Sequence, residues 1–213
     1  MSSETPDFGP EFRETLDQLL VWRRDVRRFR TDPIDAEALE AALRAFDLAP
    51  SVGNSQPWRL VLVESRKVRA VVRESFTRCN AEAFAATTPD KRDLYARLKL
   101  AGLDDAPIHL AVYCDVRPEQ GHGLGWRTMP ETLAYSTAGA VAMFSLTARA
   151  HDIGVGWVSI LEPDVLAEAL DLPRHWRLIA YLCVGYPEKE DDVPELERAG
   201  WQSRCGDRPI LQR

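Results

Sequence analysis

The chain has 213 residues, 45% hydrophobic and 28% charged, which suits one medium globular domain or one subunit of an intertwined oligomer. Its formal net charge of −6 excludes a general affinity for nucleic acid or anionic membranes, which needs a basic stripe. No apolar run approaches the ~20 residues that cross a bilayer, MSSETPDFGPEF carries no leader pattern, and Cys79, Cys114, Cys183 and Cys205 form no CxxC pair, so we expect a cytoplasmic chain with reduced thiols.

In chain order, Phe12, Leu16, Leu19 and Leu20 stand at helical spacing and predict a helix over 11–22. Asp35 can cap a second helix whose Leu39, Ala42, Leu43 and Phe46 share one face, and Pro50 ends it. Leu60 to Val63 is apolar throughout and reads as a strand buried on both faces. Val68, Val71, Val72 and Cys79 mark a third helix. Residues 80–106 are polar, with a helical stretch around Leu94, Leu98 and Leu103. They read either as a cover over a site or as a packed helix.

A strand over Ile108 to Cys114 leads into a loop rich in glycine (Gly121, Gly123, Gly125), read as flexible. Thr132 to Arg149 is apolar or small nearly all round, the pattern of a helix buried at the domain centre or in a subunit interface. Gly154 is expected to end it, GVGWVSI to form a strand, Pro163 to open a short helix, and Leu178 to Val184 to form the last strand. The charged tail, about 187–213, is expected to embrace a partner subunit. This order predicts one α+β domain over 1–213, a sheet layered with helices.

Several chemistries lack their residues. There is no GxxxxGK[ST] phosphate loop and no GxSxG elbow, and GHGLG opens no helix, so it is no dinucleotide fingerprint. His109, His122, His151 and His175 are far apart, and nothing supports a metal site.

Two signals remain. Arg23, Arg24, Arg27 and Arg28 cluster after the first helix around Asp25. A planar guanidinium matches phosphate through paired, charge-assisted hydrogen bonds. Alone, the cluster reads more simply as a basic surface turn. APSVGNSQPW, Ala49 to Trp58, exposes Ser51, Gly53, Asn54, Ser55 and Gln56 between two prolines. That loop suits a planar heterocycle, and Gly53 would let the backbone approach a ring. Alone, it is an ordinary helix-to-strand loop.

Together, RRDVRRF and APSVGNSQPW followed by an apolar strand resemble the nitroreductase-like flavoproteins. RLKLAGLDDAPIHLAVYCD, TMPETLAYSTAGAV, ARAHDIGVGWVSI and PELERAGW resemble one branch of that family, the 5,6-dimethylbenzimidazole synthases. The resemblance covers about residues 12–204. It implies a nitroreductase-like fold with a mostly antiparallel central sheet, and an intertwined homodimer with FMN at the interface. It further implies contacts to FMN from Arg23, Arg24, Asp25, Val26, Arg27, Ser51, Gly53, Lys91, Leu100 and Ser159.

The implied reaction consumes reduced FMN and O2 and yields 5,6-dimethylbenzimidazole and erythrose 4-phosphate, with a separate flavin reductase supplying the reduced flavin. Asp25 and Ser159 are the implied catalytic residues. Ordinary nitroreductases usually carry serine where Asp25 stands, and a carboxylate suits proton transfer better than a hydroxyl. Ser159 would assist later steps, and the Gly53 N–H would face the reacting oxygen. Asn54 matches ordinary nitroreductases, so an NAD(P)H-dependent enzyme that keeps its flavin is the alternative, and a non-catalytic flavin-binding protein is a third reading.

Overall fold

The computed structural model describes residues 5–213. Helix α1, Pro10–Trp22, starts with proline in its first turn, where a missing N–H costs nothing. Helix α2, Ala36–Leu48, begins as expected, with the Asp35 carboxylate accepting from Ala38 N at 2.9 Å. Strand β1, Trp58–Leu62, follows, then α3, Arg66–Ala86, and α4, Arg92–Arg97. Strand β2 is Ile108–Asp115, α5 Thr132–Ala150, β3 Gly154–Val158, α6 Pro163–Ala169, β4 Trp176–Gly185 and α7 Glu195–Arg198.

The four strands form one sheet in the order β1-β2-β4-β3, and every neighbouring pair is antiparallel. Its two faces carry separate cores. On one, Phe46 of α2 meets Phe144 of α5 with ring centroids 5.5 Å apart, over Leu110, Val112, Ala180 and Leu182 of the central strands. On the other, α3 and α6 bring Val72 and Leu166 onto Ala111, Tyr113, Tyr181 and Cys183. Alternate residues of β2 and β4 therefore enter different cores, and both strands are buried on both faces.

Two expectations change. Strand β1 is an edge strand, and Leu60 and Leu62 are exposed. A short apolar run does not reveal which neighbours will cover it. Helix α5 is buried in the domain through Leu133, Thr137, Ala140, Val141, Phe144 and Ala148, and its other face exposes Tyr135, Gly139 and Ala142. Helix α5 also ends before Gly154, through Asp152 at φ 60°. Gly154 instead opens β3.

Helix α1 buries nothing, and its Phe12, Leu20 and Trp22 are each more than 40% exposed. Residues 187–201 run along their own chain. Glu188 N donates to Arg28 O, Arg28 pairs with Glu195 at 2.5 Å, and Trp201 meets Tyr95 edge-on at 5.9 Å. Residues 202–213 are exposed. Among the described residues, no helix is long and apolar enough to cross a membrane.

Candidate functional site

After α1 the chain turns extended and lies along the outer edge of β3. Asp25 bridges Val155 in parallel, and Val26 N donates to Val155 O at 3.1 Å. This approach requires Gly156, since a Cβ there would sit 2.0 Å from Val26 O. The glycine alternation of GVGWV thus shapes a seat for the arginine segment.

Arg23 to Arg28, the end of α5 and the start of the tail enclose a cleft of about 360 Å³. Most of its charges are matched. Asp25 pairs with Arg27 at 2.9 Å, Glu190 takes two hydrogen bonds from Arg149 at 2.6 and 2.9 Å, and Asp191 pairs with Arg198 at 3.1 Å. Arg23 and Arg24 have no carboxylate partner among the described residues. The Arg24 Nε is buried without a hydrogen-bond partner. Burial first, then Arg204 and Arg23, hold the Arg24 pKa below its usual value. An uncompensated guanidinium pair in a cleft is a site for an anion, and its fork geometry suits phosphate.

Asp25 is not a free acid at the cleft mouth. One carboxylate oxygen accepts from Trp157 N of β3 at 2.8 Å, and the other from Arg27 Nε at 2.9 Å. Trp157 lies two residues before Ser159, which is exposed just past the strand end. Asp25 therefore orients the strand that delivers Ser159. Arg27 Nη1 also donates to Lys99 O at 3.0 Å, next to Leu100, but neither Leu100 nor Ser159 lines the cleft itself. Lys91 sits apart, its Nζ 5.7 Å from the centre of the Trp201 ring.

Ser51 and Gly53 lie elsewhere. Val52 N donates to the Ser136 hydroxyl, in the first half of α5, whereas Ser145 and Arg149, near its end, line the cleft. The step from Ser136 to Ser145 spans about 14 Å of helix.

The Ser51 loop is strained and braced. Gly53, Asn54 and Gln56 have φ of 57°, 53° and 41°, and left-handed non-glycine residues cost of order 1–3 kcal/mol each. A Cβ on Gly53 would meet Leu124 O at 2.8 Å and Gly121 O at 3.1 Å. Gly53 thus answers to its own φ and to the Gly121–Leu124 turn, and not only to an approaching ring. The glycine-rich segment read as flexible packs on this loop, and Gln120 Nε2 donates to Asn54 O at 2.5 Å.

Sequence reading missed Ser145, Arg149 and Arg198 of the cleft, and Trp157. Arg149 carried a legible signal, as the lone charge of an otherwise uncharged helix.

Comparison with known proteins settles the family. Residues 20–186 match the nitroreductase family. The chain belongs to the nitroreductase family. Within the family it is 54% identical over 208 residues to 5,6-dimethylbenzimidazole synthase of Rhodospirillum rubrum, covering 98% of each chain. It is 45% identical over 196 residues to the protein of that name from Rhodobacter capsulatus, covering 92% of this chain and 95% of the other. Oxidized iodotyrosine deiodinase bound to FMN and 3-iodo-L-tyrosine shares the nitroreductase-family fold, with a TM-score of 0.70 at 22% identity, covering 93% and 97% of the two chains. The mostly antiparallel sheet with flanking helices expected for the family is the sheet observed.

Proposed function

We propose that this protein is a 5,6-dimethylbenzimidazole synthase, which binds reduced FMN and, with O2, breaks it into 5,6-dimethylbenzimidazole, erythrose 4-phosphate and a fragment that carries the pyrimidine part of the ring. The observation that carries this reading is Asp25. It is a carboxylate where ordinary nitroreductases usually have serine, and it joins the arginine segment to the strand ending in Ser159. The two relatives of that name, matched over nearly their full length, support it.

The residues present fit the flavin. Arg23 and Arg24 would hold the phosphate, with the buried, partnerless Arg24 Nε as the donor that a phosphate oxygen satisfies. Val26, Arg27 and Leu100 would line the path from phosphate to ring. Bound reduced FMN supplies the electrons for O2 chemistry and is itself the molecule that is cut. Asp25, an acceptor on both oxygens, is placed to receive a proton, while its bond to Trp157 N sets the position of the Ser159 hydroxyl.

The separation of Ser51 and Gly53 from the cleft is met by a homodimer, in which this loop of one subunit faces the cleft of the other. Its support is the uncovered apolar surface of α1 and the exposed Tyr135, Gly139 and Ala142 of α5. Obligate interfaces of this kind commonly bury roughly 2,000–5,000 Å². Residues 202–213, with Ile210 and Leu211 exposed, are the part of the tail free to reach the partner.

The test is to mix the protein anaerobically with pre-reduced FMN, admit air and identify the products. We expect permanent loss of the isoalloxazine absorbance and dimethylbenzimidazole by mass spectrometry. Full return of the yellow colour without benzimidazole overturns the reading and leaves a nitroreductase that keeps its flavin.

A further inference from the structure

The Ser51–Gln56 loop is held from below by a pair of residues that lie outside the flavin site. Asp115, at the end of β2, is 6% exposed, and its carboxylate is fully engaged. One oxygen accepts from Arg59 Nη2 at 2.8 Å. The other accepts from Arg117 N at 2.9 Å and lies 3.7 Å from His175 Nε2. Asp115 N donates to Pro57 O at 2.8 Å. Arg59 then reaches back into the loop, its Nη1 donating to Gln56 O at 3.1 Å and Trp58 O at 2.9 Å. Its guanidinium lies 5.8 Å from the Trp176 ring centre.

One carboxylate thereby grips both halves of a two-loop unit. Through Arg59 it holds the C-terminal end of the Ser51 loop, where the Asp115 backbone N–H also donates to Pro57 O. Through Arg117 N it holds the start of the segment whose Gly121–Leu124 turn packs on Gly53. The held loop contains three left-handed residues among Gly53, Asn54 and Gln56, a conformation that relaxes unless the surroundings over-determine it. A guanidinium fork is needed, because one group must serve two carbonyls and a carboxylate together.

We infer that Asp115 and Arg59 are positioning residues, a clamp that keeps the Ser51–Gln56 loop in the strained shape in which it meets the flavin of the partner subunit. The inference rests on the reading of the reaction given above. It predicts a defect confined to loop geometry, since neither residue lines the phosphate cleft.

The test uses the full-length protein with Arg59→Lys and Asp115→Asn. Without FMN, the amides of Asn54, Ser55 and Gln56, which donate to Ser51 O, Val52 O and the Ser51 hydroxyl, should exchange at least about tenfold faster than in wild type. With FMN bound, the visible circular dichroism of the flavin should change while its affinity stays within about threefold, because the phosphate contacts that dominate binding are untouched. Dimethylbenzimidazole formed per bound flavin should fall roughly 10- to 100-fold, the scale of a misplacement of about 1 Å.

A lowered melting temperature with unchanged loop exchange, unchanged flavin dichroism and unchanged product per bound flavin would make the pair merely structural and overturn the inference. Should Asp115→Asn fail to fold, Arg59→Lys decides. If wild-type protein yields no benzimidazole, the reading of the reaction fails by itself, and loop exchange with flavin dichroism still decides the clamp.

Discussion

In the proposed site, the arginine segment and the Ser51–Gln56 loop make opposite provisions for one ligand. The first is a cleft with unspent capacity, in which Arg23 and Arg24 lack carboxylates and Arg24 Nε lacks any partner. The second has the N–H groups of Val52, Asn54, Ser55 and Gln56 already bonded and its shape forced by packing against Gly121 and Leu124. A site that needs electrostatic grip at one end and a rigid surface at the other can divide these tasks between distant segments. Here they stand near opposite ends of α5, so that a second subunit is the simplest way to join them.

The largest expected effect tests what links the cleft to the chemistry. Asp25→Asn keeps an oxygen for Trp157 N but turns a donor toward Arg27. We expect FMN affinity to stay near that of wild type and product formation to fall about 10²- to 10⁴-fold, as for loss of an acid–base group. Product at the wild-type rate, measured beside FMN affinity, would reduce Asp25 to an exposed ion pair.

Next, Arg24→Met removes the guanidinium whose Nη2 donates to Val21 O and Leu20 O and whose Nε has no partner. We expect FMN affinity to drop roughly 10- to 100-fold, from charge-assisted hydrogen bonds of about 1.5–3 kcal/mol, measured by calorimetry. Gly53→Ala should instead leave phosphate affinity nearly intact and lower stability by about 1–3 kcal/mol, since alanine must adopt a left-handed φ against Leu124 O. Denaturant unfolding measures this. If Gly53→Ala weakens FMN as much as Arg24→Met does, the division of tasks is wrong.

Mixing these two variants sharpens the comparison. If the two halves come from different subunits, each Arg24→Met/Gly53→Ala heterodimer keeps one intact site, and co-expression should restore dimethylbenzimidazole formation that neither homodimer shows in full. If both halves come from one chain, no site is restored.

The smallest effect concerns a region outside both halves. Burial lowers the His109 pKa to about 4, below the roughly 6.5 of an unfolded histidine. The unfolded chain therefore binds more protons between these values. The His109 contribution is complete above about pH 6.5 and is lost as pH falls through about 4. Unfolding free energies across that window should lose slope in His109→Asn, while the pH dependence of product formation should not change.

How legible all this was differs between elements. Local chemistry determined α2, with Asp35 at its start and an apolar face at 3.6-residue spacing, and the arginine segment, whose charge density no core could absorb. Motif likeness carried the family and the sheet class. Tertiary structure alone decided that Leu60 and Leu62 lie on an edge strand, because an apolar run does not name its neighbours. It alone decided that Asp25 spends both oxygens on Arg27 and Trp157, and that Gly53 answers to Leu124 and Gly121. Apart from Arg27, close to Asp25 in the chain, those partners lie tens of residues away or more, and hydrogen bonding and steric exclusion act over a few ångströms of space, whatever the distance along the chain.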